Sequence, residues 1–128
     1  MKRPMVYVCS RYREGDSRLE DIRRAGRYCR QLYEAGYTPI APSIYFPQFL
    51  DGGIPEEKQD LRHMSLLLLR RCSALVLCDK DLDEDMMDSI QDARRLHILC
   101  TTLDSILAIQ AIALQGRPQS PKGDFPPN

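Results

Sequence analysis

The chain lacks any apolar run that could cross a bilayer: stretches such as Leu66–Leu69 fall far short of the roughly 20 residues a membrane helix needs. No secretory leader is expected, because only about five apolar residues follow the basic start Met1-Lys2-Arg3-Pro4 before Ser10 and Arg11 interrupt them. A cytoplasmic protein with no membrane partner is the expectation. Net charge is absent as well, since 18 Lys and Arg balance 18 Asp and Glu, and this removes the polycation argument for a nucleic-acid partner. The five cysteines, at 9, 29, 72, 78 and 100, contain no Cys-x-x-Cys spacing. Most lie in apolar segments, so they read as reduced, buried small hydrophobes, and neither a disulfide framework nor a thiolate metal site is supported.

Metal and cofactor signatures are equally scarce. His63 and His97 are the only histidines and have no second ligand nearby, so structural roles are expected of both. Asp79–Asp85 resembles the opening of a calcium loop, but Glu84 stands where the turn glycine belongs and Ile90 where the bidentate glutamate belongs. There is no Gly-x-Gly-x-x-Gly, no Walker-type loop, and no Gly-x-Ser-x-Gly around Ser10, Ser73 or Ser89. No cofactor and no metal are expected.

What is present suits one globular domain: 128 residues, 43% apolar and 28% charged. Met5–Cys9 is short and β-rich and reads as a buried first strand. Asp16 or Ser17 then starts an amphipathic helix through Leu19, Ile22, Ala25 and Leu32, which Gly36 stops. Tyr37–Ala41 follows as a second strand, where Pro39 suits an edge position better than a central one. Residues 42–54 read as an aromatic loop around Tyr45, Phe46 and Phe49. Pro55 with Glu56 and Glu57 announces a helix to about Arg71, whose apolar face carries Leu61, Met64, Leu67 and Leu68. Ala74–Cys78 is a third strand, Met86–Leu96 a helix, Ile98–Cys100 a fourth strand, and Leu103–Leu114 a helix begun by Thr101 or Thr102 and stopped by Gly116. The order βαβαβαβα predicts an α/β domain over residues 1–116, a parallel sheet of about four to five strands flanked by helices. Residues 117–128 read as a disordered Pro-rich tail.

In such sheets ligands bind beyond the carboxyl ends of the strands, near the point where strand order reverses. Two loops leaving strand ends are chemically distinctive. Ser10-Arg11-Tyr12-Arg13 offers a hydroxyl, two guanidinium forks and a ring at the mouth of a helix, a set suited to phosphate or carboxylate. Asp79–Asp85 is strongly acidic: residues 79–92 hold seven Asp and Glu against one Lys, whereas residues 1–30 hold nine Lys and Arg against four Asp and Glu. A solvated pair of surfaces and a converging polar site are both compatible with that asymmetry.

Four segments carry a family resemblance: Val6–Arg13, Ala25–Arg30, Gly36–Pro42 and Tyr45–Leu50. Together they are similar to the nucleoside 2-deoxyribosyltransferase-like family of small bacterial and phage proteins, over roughly residues 5–100. The resemblance implies a flavodoxin-like, Rossmannoid sheet, a homo-oligomer, and a nucleoside or nucleotide pocket at the strand ends. In the catalytic members a glutamate attacks the sugar C1′ and releases the base. Tyr12 then falls at the family's aromatic position near the nucleophile, and Asp83 at an aspartate that addresses the departing base. Ser89 stands where the nucleophilic glutamate is expected, Asp88 beside it as a possible substitute, Ser43 in place of a histidine, and Asp85 in place of a small glycine. A serine hydroxyl without a base is a weak nucleophile, whereas a carboxylate is ionised at neutral pH.

The expectation is therefore a nucleotide- or nucleoside-binding protein whose scaffold is kept and whose catalyst is altered, a sensor or sequestering pseudoenzyme. Arg11 and Arg13 would contact phosphate, Tyr12, Tyr45 and Phe46 would stack on base or sugar, and Asp83 would accept hydrogen bonds, with Ser10, Ser43 and Asp85 nearby. One alternative is an active deoxyribosyltransferase or deoxynucleotide N-hydrolase working through Asp88 or another carboxylate. The other is a structural protein with its pocket filled by its own side chains.

Overall fold

The computed structural model describes residues 3–115, so the expected tail at 117–128 lies outside the described residues. Four strands, β1 (Met5–Cys9), β2 (Thr38–Ile40), β3 (Ala74–Leu77) and β4 (Leu99–Thr102), form one parallel sheet in the order β2-β1-β3-β4. Five helices connect and cover them: α1 (Arg18–Glu34), α2 (Pro42–Tyr45), α3 (Pro55–Leu69), α4 (Glu84–Arg95) and α5 (Leu103–Gln115). The chain steps outward from β1 to β2, returns to β3 on the other side, and continues to β4, so strand order reverses between β1 and β3. Pro39 sits in an edge strand, where its missing N–H breaks no ladder on the open side.

Successive side chains of a strand point to opposite faces, and β1 divides the molecule accordingly. Val6 and Val8, with Ala74 and Val76 of β3, pack against Leu32 of α1 and Leu103 and Ile106 of α5. Tyr7 and Cys9, with Leu75, pack on the opposite face against Leu69 of α3 and Met86 and Ala93 of α4. The first face is purely apolar in its core. The second carries a phenol and a thiol into the space beneath α3 and α4.

Local sequence explains the ends of the elements. Gly36 adopts φ 99°, a left-handed conformation that ends α1, and the paired bonds Gly36 N–H to Tyr33 O (3.0 Å) and Tyr37 N–H to Leu32 O (3.0 Å) satisfy the last carbonyls. Pro55 occupies the first turn of α3 with Glu56 and Glu57, where a missing donor and negative charge are both tolerated. Thr102 caps α5, its Oγ1 accepting the Ser105 N–H at 3.1 Å.

Several expectations need correction. Residues 42–48 are not a loop: Pro42–Tyr45 and Phe46–Gln48 form two short helical turns, each opened by a proline in its first positions. α4 begins at Glu84, two residues before the expected Met86, because Asp83 caps it. β4 is shifted to Leu99–Thr102 because His97 adopts φ 57° and delays the strand. In α3 the packed residues are Leu66 and Leu69, whereas Leu67 is 47% exposed. Among the cysteines, Cys100 is exposed rather than buried, since it lies on the outer strand β4.

Candidate functional site

A cleft of about 710 Å³ opens at the carboxyl ends of β1 and β2, roofed by α3 and the first turns of α4. Its floor is Tyr7, Cys9 and Ser10, the last residues of β1 and the one after it. Tyr12 closes one side from the turn that follows, and Ser43 comes from the first turn of α2. α3 contributes Lys58, Arg62 and Ser65, and α4 presents Asp85, Asp88 and Ser89. The position follows from the topology: β1 adjoins the reversal of strand order, and the loops after β1 and β3 leave in opposite directions there.

Ser10, Tyr12, Ser43, Asp83, Asp85, Asp88 and Ser89 are thus brought together around one cleft. Arg11, Arg13, Tyr45 and Phe46 are not, and each has a physical reason. The backbone N–H of Arg13 donates to Asp21 Oδ2 at 2.7 Å, and its guanidinium donates to the same carboxylate at 2.8 and 3.0 Å. Arg11 gives its N–H to Asp79 Oδ2 at 2.6 Å and turns its guanidinium to Asp81, 3.7 Å away. Tyr45 and Phe46 pack with Phe49 in a cluster of ring centroids 5.3 to 6.0 Å apart; Phe46 is buried in it and Tyr45 faces solvent.

The turn after β1 is therefore a structural clamp. Asp21, fully buried, also accepts from Arg24 Nη2 at 2.8 Å. Arg24 in turn donates from Nε to Asp79 Oδ1 at 3.1 Å, and the Tyr28 hydroxyl donates to the same oxygen at 2.6 Å. The Arg13 side-chain hydrogen bonds, outweighing burial, hold the Asp21 carboxyl well below the usual carboxylate range. Buried charges need such paired and hydrogen-bonded partners to be tolerated.

Inside the cleft the chemistry is subdued. Asp83 Oδ1 accepts the Met86 N–H at 2.8 Å and so serves as the cap of α4. Asp88 takes a hydrogen bond of 2.7 Å from Arg62, which also lies 3.6 Å from Asp92. Burial, together with the charge of Asp83, raises the Asp85 carboxyl. Burial pushes the Tyr7 phenol up to about 12, against hydrogen bonding to Ser89 and Ser65 that pulls it down. The Cys9 thiol is likewise pushed up to about 12 by burial and the nearby Asp83 charge, so it stays protonated and poorly nucleophilic at neutral pH.

Tyr7, Lys58, Arg62 and Ser65 are cleft residues that the sequence did not single out. For Tyr7 a signal existed, since strand alternation separates it from Val6 and Val8. The α3 residues carried none, because nothing local tells which face of that helix turns to the strand ends. No group of three or more His, Cys, Asp or Glu among the described residues could hold a metal ion. No helix among them is long and apolar enough to cross a membrane.

Three comparisons place this geometry among known proteins. A family model described as "Domain of unknown function (DUF7768)" matches residues 4–103. No curated protein matches the chain. The fold is similar to that of a solved 2-deoxyribosyltransferase from the psychrotolerant bacterium Bacillus psychrosaccharolyticus, with TM-score 0.57 and 14% identity over 77% of this chain and 70% of that one. That similarity establishes a deoxyribosyltransferase-like, Rossmannoid α/β fold.

Proposed function

As the chain belongs to the family described as a domain of unknown function (DUF7768), its function has to come from its own cleft, and we propose that it binds a nucleoside- or nucleotide-derived small molecule there without the usual N-glycosidic transfer. The observation that carries this reading is Ser89. It lines the cleft from α4 where the resemblance expects a glutamate, and a serine hydroxyl with no hydrogen-bonded base is a weak nucleophile. The neighbouring carboxylates are engaged elsewhere, Asp83 in capping α4 and Asp88 with Arg62. The open cleft supports a ligand in preference to a purely structural role, which calls for a filled pocket. The fold shared with a 2-deoxyribosyltransferase supports the nucleoside class.

Calorimetry of the purified chain against a panel of nucleosides and nucleotides tests the binding. Incubation with deoxynucleosides and their monophosphates, followed by chromatography for free base, tests the missing chemistry. Binding is expected without release of base from the wild type, and release is expected to appear in Ser89→Glu. No binding to any member of the panel would sink the reading. Base released by the wild type and lost in Asp88→Asn would replace it with an active enzyme working through that carboxylate.

A further inference from the structure

We propose that the outer edge formed by β4 and α5 is a self-association surface, on which a second copy of this chain adds its own β4 antiparallel about a two-fold axis. The proposal is independent of what the cleft binds, since the cleft residues described come from other elements.

The two edges of the sheet differ. β2 ends it on one side with three half-buried residues, one of them Pro39, and a proline on an edge strand hinders further pairing. β4 ends it on the other side with Leu99-Cys100-Thr101-Thr102, a strand without a charge or a proline. Its burial is equally unlike that of its neighbour. Leu99 lies beside Ala74, Cys100 beside Leu75 and Thr101 beside Val76. Those residues of β3 are buried, whereas Leu99 is 65% exposed and Cys100, which points to the opposite face, is exposed as well. Parallel strands are ordinarily covered on both faces, and β4 is exposed on both.

What covers this edge follows from its hydrogen bonds and its charge. An outer strand holds a row of N–H and C=O groups directed away from the sheet, and another strand edge satisfies them in line. Two copies of one strand do so reciprocally about a two-fold axis, because each contact made by one copy is returned by the other. Leu99 lies on the face where Ala74 packs with Leu103 and Ile106 of α5, and Ile109 of the same helix is 63% exposed. These two side chains give the edge an apolar flank on the α5 side. Residues 99–115 contain a single charge, Asp104, in a chain that is 28% charged, so this edge offers little to a strongly charged partner. Formal net charge is zero, and two copies therefore approach without net repulsion.

Sedimentation equilibrium of the full chain is the test. A reversible dimer is expected, and Leu99→Lys and Ile109→Lys should each raise its dissociation constant about tenfold or more, because each sets like charges against one another in an apolar contact. Diluted to monomers, both variants should melt as the diluted wild type does, since the replaced side chains are exposed. Oxidation then reads the register. A two-fold axis through an antiparallel pair sets one residue opposite its own copy, with Cα atoms about 4.5–5.5 Å apart and within disulfide reach. The centre of β4 is Cys100 or Thr101. Mild oxidation should therefore cross-link the wild type through Cys100, or the double variant Cys100→Ser with Thr101→Cys through residue 101. A monomer at every concentration overturns the proposal, and so does a dimer that survives both lysine substitutions or that gives neither cross-link. A monomer whose melting temperature falls in Leu99→Lys overturns it in favour of residues 116–128 as the cover.

Discussion

Asp21 holds Arg13 at two levels, taking the backbone N–H at 2.7 Å and the guanidinium at 2.8 and 3.0 Å through one carboxylate with no exposed surface. A residue in the first turns of α1 thereby shapes the turn that precedes the helix. Asp21→Asn keeps the volume and loses the charge. It should lower the unfolding free energy by roughly 2–3 kcal/mol, less than a fully buried pair would cost because the Arg13 side chain keeps 39% exposure. Urea denaturation measures it, and a loss below about 0.5 kcal/mol, the size of an ordinary surface substitution, would contradict the clamp.

The same carboxylate makes a pH signature. Its folded-state pKa is depressed below the ordinary aspartate value of about 3.9, so as pH falls the unfolded chain takes up the proton first. The stabilisation is present above about pH 4 and is lost progressively on acidification below it. Melting temperatures from pH 7 down to pH 2 should therefore fall more steeply for the wild type than for Asp21→Asn. Parallel curves would exclude Asp21 as the source.

At the alkaline end Tyr7 and Tyr28 act with the opposite sign. Burial raises both phenols to about 12, assisted in Tyr28 by its hydrogen bond to Asp79. Stability contributed by the protonated phenols is present below pH 10, the unfolded value, and is lost as pH rises from 10 to about 12. Ultraviolet titration of tyrosinate should show two late-ionising phenols. Tyr7→Phe and Tyr28→Phe should each remove one, and retention of both in either variant would refute the assignment.

Asp83 tests the start of α4. Replacing it with Ala removes the acceptor for the Met86 N–H and should cost about 1 kcal/mol, whereas Asn, an equally good cap, should cost little. Comparing the two variants by thermal melting separates capping from charge. Equal losses for Ala and Asn would show that the negative charge, and not the cap, matters there.

Cys100 lies exposed on β4, while Cys9 and Cys72 are buried and Cys29 and Cys78 half-buried. A disulfide reagent should therefore label Cys100 first in the native protein. Cys100→Ser should abolish the fastest phase and leave the slower ones. Persistence of that phase would place the reactive thiol elsewhere.

Local patterns were the legible part of this fold. Met5–Cys9 is a strand because every residue suits a sheet interior, α1 stops where Gly36 supplies a positive φ, and α3 starts at Pro55. The short turns over 42–48 were hidden because prolines and aromatics break any readable period. The arginines of the first turn were misread for a different reason. Their partners are decided by tertiary contact: the Arg11 guanidinium turns toward Asp81 in the loop after β3, and Arg13 finds Asp21 from the face of α1 that happens to turn inward. Planar guanidinium groups beside a strand end fit a phosphate or a carboxylate equally well, and only the fold tells which one they meet. In the cleft, Ser10, Ser43 and Ser89 were legible as positions. That Tyr7 reaches the same space as Ser89 was not, since it depends on how α4 crosses the sheet.

The two carboxylates that seize the backbone at Arg11 and Arg13 also decide when the turn loses its freedom. Ordering a residue's backbone removes about 1–2 kcal/mol of conformational entropy. At Arg11 and Arg13 that loss falls within folding, because Asp79 and Asp21 fix both N–H groups with no ligand involved. Tyr12, held between them, is therefore placed on this side of the cleft by folding itself, and a ligand of the proposed kind would meet it without the entropic penalty of a closing loop.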